Sequence, residues 1–193
     1  AASIPVINAL TDGHHPCQAL ADLLTLKERF GSLPGRKVAY LGDGNNVAHS
    51  LMEACSMAGV DVAVATPPGY QPDDEVVLTA ERLAATSGAL VTVTMDPLKA
   101  AADADAVYTD VWVSMGTPET ERNARVASLA AYRVDEAVMA EAKPGAMFMH
   151  CLPAHRGDEV VASVIDGPQS VVFDQAENRL HPAVTVLADL AER

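Results

Sequence analysis

The chain has 193 residues, 49% of them hydrophobic and 20% charged, which is enough apolar material for one sizeable core. A net charge of −13 excludes a protein built to grip a nucleic-acid backbone, while leaving room for a small anionic ligand held by one or two placed cations. Aromatic residues make up only 4%, so the core is expected to be aliphatic.

No apolar run approaches the roughly eighteen residues of a membrane span, and the opening AASIPVINAL lacks the basic-then-apolar pattern of a secretory signal. Neither a membrane nor a nucleic acid is therefore an expected partner. Cys17, Cys55 and Cys151 are widely spaced without a CxxC pair, as expected of reduced thiols in a cytoplasmic protein. The chain starts at Ala1 without an initiator Met, which fits a processed chain or a piece of a longer one.

In chain order, a helix is expected from about Pro16 to Phe30, with Leu20, Leu23, Leu24 and Phe30 as its apolar residues. Strands follow at about Lys37–Leu41, Val62–Ala65, Leu90–Thr94, Ala106–Thr109, Ala146–Met149 and Ser170–Phe173. Each is apolar throughout, as expected where both faces of a sheet are covered. Between them, NVAHSLMEACSMAG and DDEVVLTAERLAATSG carry helical patterns, the second with Gly88 as its stop. A last helix is expected from about Pro182. Strand–helix alternation predicts an α/β fold, a Rossmann-like parallel sheet with helices on both faces, flanked by the first and last helices. Ligands of such sheets bind beyond the carboxyl ends of the strands.

Five stretches carry chemistry. In YLGDGNNVAHSL, Gly42 and Gly44 approach the dinucleotide pattern, but Val47 replaces the third glycine and the next strand ends in Ala65, Thr66 and Pro67 instead of an acid. A tight turn is the better reading, with Asn45 and Asn46 as helix caps or as amides for a carboxylate. In HHPCQ, Pro16 suits a first helical turn, leaving His15 and Gln18 either to cap the helix or to face a polarised carbonyl or phosphate. In VYTDVWVSMG, Asp110 sits at the ligand edge with Ser114 and Met115 close behind. It either holds a substrate ammonium or caps the next turn.

In MHCLPAHRGDEV, His150 and Cys151 are adjacent and on extended backbone point apart, so no zinc site is expected. Cys151 is followed by Leu152 and Pro153 instead of a helix start, which leaves it a pocket-lining or simply buried thiol and not a nucleophile. Within AENRL, placed at the opening of the last helix, Arg179 is either an oxyanion clamp or a solvated cation.

Together HPCQ, DGNN, DVWVSMG, HCLPAHRGDEV and AENR, in this order and spacing, resemble ornithine carbamoyltransferases over essentially the whole chain. The resemblance implies transfer of the carbamoyl group of carbamoyl phosphate to the δ-amine of L-ornithine, giving citrulline and phosphate for arginine biosynthesis, without cofactor or metal. It implies that His15, Pro16, Cys17, Gln18, Cys151, Leu152 and Arg179 bind carbamoyl phosphate, and that Asn46 meets the α-carboxylate of ornithine. Asp110, Ser114 and the backbone of Met115 match the holders of its α-ammonium. His15, Asp110, Cys151 and Arg179 are the implied catalytic set, with Cys151 positioning the amine.

One departure stands out. The family's phosphate-binding Ser-Thr-Arg-Thr motif, which lies in its N-terminal domain, does not occur in this sequence. The expected organisation is a bridging segment and helix over 1–34, an ornithine-binding α/β domain over 35–175 and a C-terminal bridging helix over 176–193. The carbamoyl phosphate domain, and with it the family's homotrimer interface, is expected to be missing, and the isolated chain to be inactive. Two alternatives remain: a stand-alone amino-acid-binding domain without catalysis, which His15, Cys151 and Arg179 disfavour, and a carbamoyltransferase for an amine such as putrescine, which Asn46, Asp110 and Ser114 disfavour.

Overall fold

The computed structural model describes residues 4–113 and 118–192. Five strands, β1 (Lys37–Leu41), β2 (Asp61–Ala65), β3 (Val91–Thr94), β4 (Ala106–Thr109) and β5 (Met147–His150), form one parallel sheet in the order β3-β2-β1-β4-β5. The strand order reverses between β1 and β4, which opens a crevice at their carboxyl ends.

Side chains alternate between two cores, because successive Cβ atoms of a strand point to opposite faces. Val38, Tyr40, Val62, Val64, Tyr108, Met147 and Met149 face one core. It is covered by α1 (Pro16–Phe30), α2 (Asn46–Ala58) and α3 (Asp74–Ser87), through residues such as Leu26, Leu51 and Ala80. Ala39, Leu41, Ala63, Val107 and Phe148 face the other. There lie α4 (Pro97–Ala101), α5 (Glu119–Leu129), α6 (Glu136–Glu141), α7 (Ala162–Ile165) and α8 (Val172–Glu177). The α/β class and the helix on each side of the sheet are thus as expected. No helix among the described residues is long and apolar enough to cross a membrane.

Four details differ from the expectations. The run Ser170–Phe173 is not a strand: Ser170 makes a single bridge to Phe148, and α8 starts at Val172. A short apolar run has no period that separates strand from helix. Here the backbone N–H of His150, which a sixth strand would have taken, donates instead to Oε1 of Gln175 on α8 at 2.9 Å. Strand β3 is not covered on both faces; it is the sheet edge, with Thr92 and Val93 exposed.

The inward face of α1 holds Leu23, Leu26 and Phe30 but is more polar than expected. Leu20 is exposed, whereas Gln18, Asp22, Thr25 and Leu26 are buried. Finally, only the end of AENRL opens the last helix. Ala176 and Glu177 close α8, and Arg179 is the N-cap of α9 (Leu180–Ala191). The expected domain boundary at 175/176 therefore falls inside α8. Helix α9 buries none of its residues and exposes Leu180, Val184 and Leu187.

Candidate active site

Three loops leave the carboxyl ends of the adjacent strands β1, β4 and β5, and each delivers one polar side chain to the crevice. After β1 the chain turns through Gly42 and Gly44. Gly42 has φ +136, and a Cβ there would lie 3.1 Å from Nε1 of Trp112; at Gly44 it would lie 2.3 Å from the backbone N of Pro72. Both glycines thus answer to protein packing, which supports the tight-turn reading. The turn places Asn45 as N-cap of α2, its Oδ1 accepting the N–H groups of Val47 and Ala48 at 3.0 and 3.2 Å.

The other end of that amide reaches the site: Nδ2 of Asn45 donates to Oδ2 of Asp110 at 2.8 Å. Asp110 follows β4 and is 7% exposed. Its Oδ1 accepts the backbone N–H of Val111 at 2.7 Å and the thiol of Cys151 at 2.9 Å. Among the described residues it has no ion-pair partner. A nearly buried carboxylate held only by neutral donors is an anion set to receive a cation. Burial pushes the Cys151 thiol well up, and the charge and hydrogen bond of Asp110 push it further, so Cys151 keeps its proton at neutral pH.

Asn46 stands beside Asn45 but points elsewhere, donating through Nδ2 to the carbonyl of Thr11 at 2.8 Å. Ser114 and Met115 lie outside the described residues. The loop that leads to them is fastened to the β1 turn by Arg125 of α5, which donates both to the Asp43 carboxylate and to the carbonyl of Trp112.

The β5 loop departs from expectation. Cys151 has already left the strand, so it does not point away from His150: ligand atoms of Asp110, His150 and Cys151 lie within 4.8 Å of one another. Two of the three are engaged. Cys151 holds its proton for Asp110, and Nδ1 of His150 accepts the N–H of Leu152 at 2.8 Å. Its Nε2 then carries the hydrogen, 3.5 Å from Oε1 of the fully buried Glu159. The same Glu159 oxygen takes the N–H of His155, and Arg156 pairs with Asp166, so these three residues order the loop. Leu152 sits at φ +56, a left-handed conformation uncommon outside glycine and tolerated where the surroundings fix it.

A second cluster lies at the start of α1. Pro16 occupies the first turn of that helix, and Cys17 is half-buried with its thiol 3.5 Å from the carbonyl of Asn8. The N–H of His15 is anchored on Ser50 of α2 at 2.8 Å. Arg179 bridges the cluster: Nη1 donates to Oε1 of Gln18 at 2.6 Å and lies 3.5 Å from Nε2 of His15. Burial first, and the Arg179 charge second, lower the pKa of His15, so its imidazole is neutral at neutral pH. The sequence-derived residues thus gather in two groups, Asp110 with Cys151 and His15 with Gln18 and Arg179.

Sequence reasoning missed the groups that link them. Asp22, Gln175 and Tyr108 form a buried polar knot between α1, α8 and β4. The available signal was an acid four residues after Gln18, on what then proves the inward face of α1.

Fold and site define an α/β domain with a crevice of charged and polar side chains at the carboxyl edge of its sheet. The family model described as aspartate/ornithine carbamoyltransferase, Asp/Orn binding domain, matches residues 34–190, and that described as carbamoyl-P binding domain matches residues 1–28. The chain belongs to the aspartate/ornithine carbamoyltransferase family.

The ornithine carbamoyltransferase of Symbiobacterium thermophilum is 59% identical over 186 residues, covering 96% of this chain and 60% of that protein. That of Bacillus subtilis is 58% identical over 180 residues, 93% of this chain and 56% of its own length. The solved structure of the ornithine carbamoyltransferase from Pyrococcus furiosus superposes with a TM-score of 0.93 at 56% identity, over 97% of this chain and 59% of that one. The chain therefore spans less than two thirds of the length of these relatives.

Proposed function

We propose that this chain supplies the ornithine-binding part of an ornithine carbamoyltransferase, which joins carbamoyl phosphate to L-ornithine to give L-citrulline and phosphate. The observation that carries the proposal is Asp110, a nearly buried carboxylate without a cationic partner among the described residues, at the crevice between β1 and β4. An α-ammonium supplies the missing charge. Asn46, Ser114 and the backbone of Met115 are assigned to the remainder of the amino-acid head, the first to its carboxylate. To reach that carboxylate, the amide of Asn46 exchanges its bond to Thr11 for one to the ligand.

The reaction needs a neutral δ-amine, a polarised carbamoyl carbonyl and a stabilised leaving phosphate. The amine nitrogen forms a bond to the carbamoyl carbon, the bond from that carbon to the phosphate oxygen breaks, and the proton lost by the amine passes to the departing phosphate. Cys151 takes no covalent part. Its protonated thiol, held against Asp110, lines the reacting end of the pocket with Leu152. His15, Gln18 and Arg179, with Pro16 and Cys17 shaping the start of α1, face the carbamoyl phosphate, where His15 and Arg179 donate to its oxygens.

The Ser-Thr-Arg-Thr phosphate motif is not in this sequence. We assign it to a carbamoyl phosphate-binding domain that docks on α1 and α9, whose exposed Leu20, Leu180, Val184 and Leu187 offer the contact, and through which the enzyme forms a homotrimer. The relatives' names, one of them the anabolic enzyme of Pyrococcus furiosus, support a role in arginine synthesis. Calorimetric titration tests the reading. The chain alone is expected to bind ornithine and norvaline weakly and to form no citrulline, and addition of a relative's carbamoyl phosphate-binding domain is expected to restore turnover. Failure of both amino acids to bind would overturn it.

A further inference from the structure

The proposed chemistry leaves unused a fully buried acid that touches the site's supports. Asp22 is fully buried on α1, and its Oδ1 accepts from Nε2 of Gln18 at 2.8 Å, from Nε2 of Gln175 at 2.7 Å and from the hydroxyl of Tyr108 at 3.4 Å. Each glutamine then presents its carbonyl end to a different wall of the crevice. Oε1 of Gln18 takes the N–H of Arg179 at 2.6 Å, and Oε1 of Gln175 takes the backbone N–H of His150, the residue before Cys151, at 2.9 Å.

A glutamine amide donates only from nitrogen and accepts only at oxygen, whereas the guanidinium of Arg179 and the backbone N–H of His150 are donors alone. An acceptor at the position of Asp22 Oδ1 therefore allows one orientation of each amide. Turned over, either glutamine would set oxygen against the carboxylate and N–H against N–H inside the protein, where unmatched polar groups are costly.

Resting on the carbamoyltransferase reading above, we propose that Asp22 is a positioning residue. Its single oxygen orients Gln18 and Gln175 together, and so sets Arg179 on the carbamoyl phosphate side and the His150–Cys151–Leu152 corner on the amine side. The role does not depend on charge. Among the described residues Oδ2 of Asp22 has no hydrogen-bond partner and is the free place for a proton, so Oδ1 accepts in both protonation states. Burial pushes this carboxyl up to about 7 against the opposing hydrogen bonds of Gln18, Gln175 and Tyr108 and the charge of Arg179.

The test uses the chain assembled with a relative's carbamoyl phosphate-binding domain. Asp22→Asn keeps an acceptor oxygen; Asp22→Leu removes it. Asp22→Leu is expected to raise the KM for carbamoyl phosphate and lower kcat by about tenfold each, while norvaline affinity stays within about twofold, and Asp22→Asn to lie within about threefold of the parent. Unchanged kinetics in Asp22→Leu, or equal loss in both variants, would overturn the proposal.

Should Asp22→Leu not fold, Asp22→Asn decides. The 15N side-chain amide signals of Gln18 and Gln175 must stay as protected from solvent exchange as in the parent, and loss of that protection overturns the idea. This amide readout needs no substrate. An assembled parent that makes no citrulline would thus refute the carbamoyltransferase reading and leave the positioning role to be judged by the amides.

Discussion

The thiol of Cys151 donates to Oδ1 of Asp110 at 2.9 Å, across loops that leave two neighbouring strands. The bond couples the residue expected to hold an ammonium to the one expected beside the reacting amine. It also fixes the sign of a reactivity test. Burial and the Asp110 charge both raise the Cys151 pKa, so replacing Asp110 by Asn lowers it. Alkylation of Cys151 by iodoacetamide, followed by peptide mass spectrometry to separate it from Cys17, is expected to set in at lower pH in Asp110→Asn than in the parent.

The same substitution removes the site's buried charge. Asp110→Asn is expected to weaken ornithine and norvaline binding by about thirtyfold or more, the usual loss when one partner of a buried charge pair is truncated. Calorimetry reads this directly, and an unchanged affinity would remove Asp110 from the amino-acid site.

Asp22 gives the fold a pH dependence with a defined direction. Its folded pKa of about 7 lies above the ordinary 3.8, so between these values the native state holds more protons than the unfolded chain. Stability contributed by the neutral acid is therefore fully present below about 4 and is lost as pH rises through about 7. Burial raises Tyr108, Cys55 and Cys151, so these neighbours do not ionise in this window. Urea denaturation at pH 5 and pH 8 should show the parent losing about 2 kcal/mol relative to Asp22→Asn between the two.

The β1 turn has no room for a side chain at position 44. Gly44→Ala places its Cβ against the backbone of Gln71 and Pro72, atoms that cannot swing aside. A loss of about 1–3 kcal/mol in urea denaturation is expected, with weaker amino-acid binding because Asn45 and Asn46 follow directly.

Much of the fold was legible because strands buried between helices appear as bare apolar runs, and KVAYL and AVYT have no other use. The false sixth strand shows the limit. SVVF has the same composition, but its role was decided by Gln175, whose side chain replaces a strand's hydrogen bond. In the site, Asp110, Cys151, His15 and Gln18 could be picked out by position at strand ends and helix starts. Asp22 and Gln175 could not. They act through a contact spanning 153 residues of chain, and the one local trace, an acid four residues after Gln18, says nothing of Gln175.

That separation bears on how the protein is made. Gln18 meets Arg179 across 161 residues, and Asn178 reaches back to Thr25 across 153. During synthesis from the N-terminus, α1 can form early, but Gln18, Asp22 and Thr25 on its polar face meet Arg179, Gln175 and Asn178 only when α8 and the residues after it leave the ribosome. The five-stranded sheet is complete once β5 is made, whereas the His150–Cys151 corner also waits for Gln175 of α8. Both walls of the crevice are therefore completed last, and a chain stopped before α8 would carry the sheet with its candidate site unassembled.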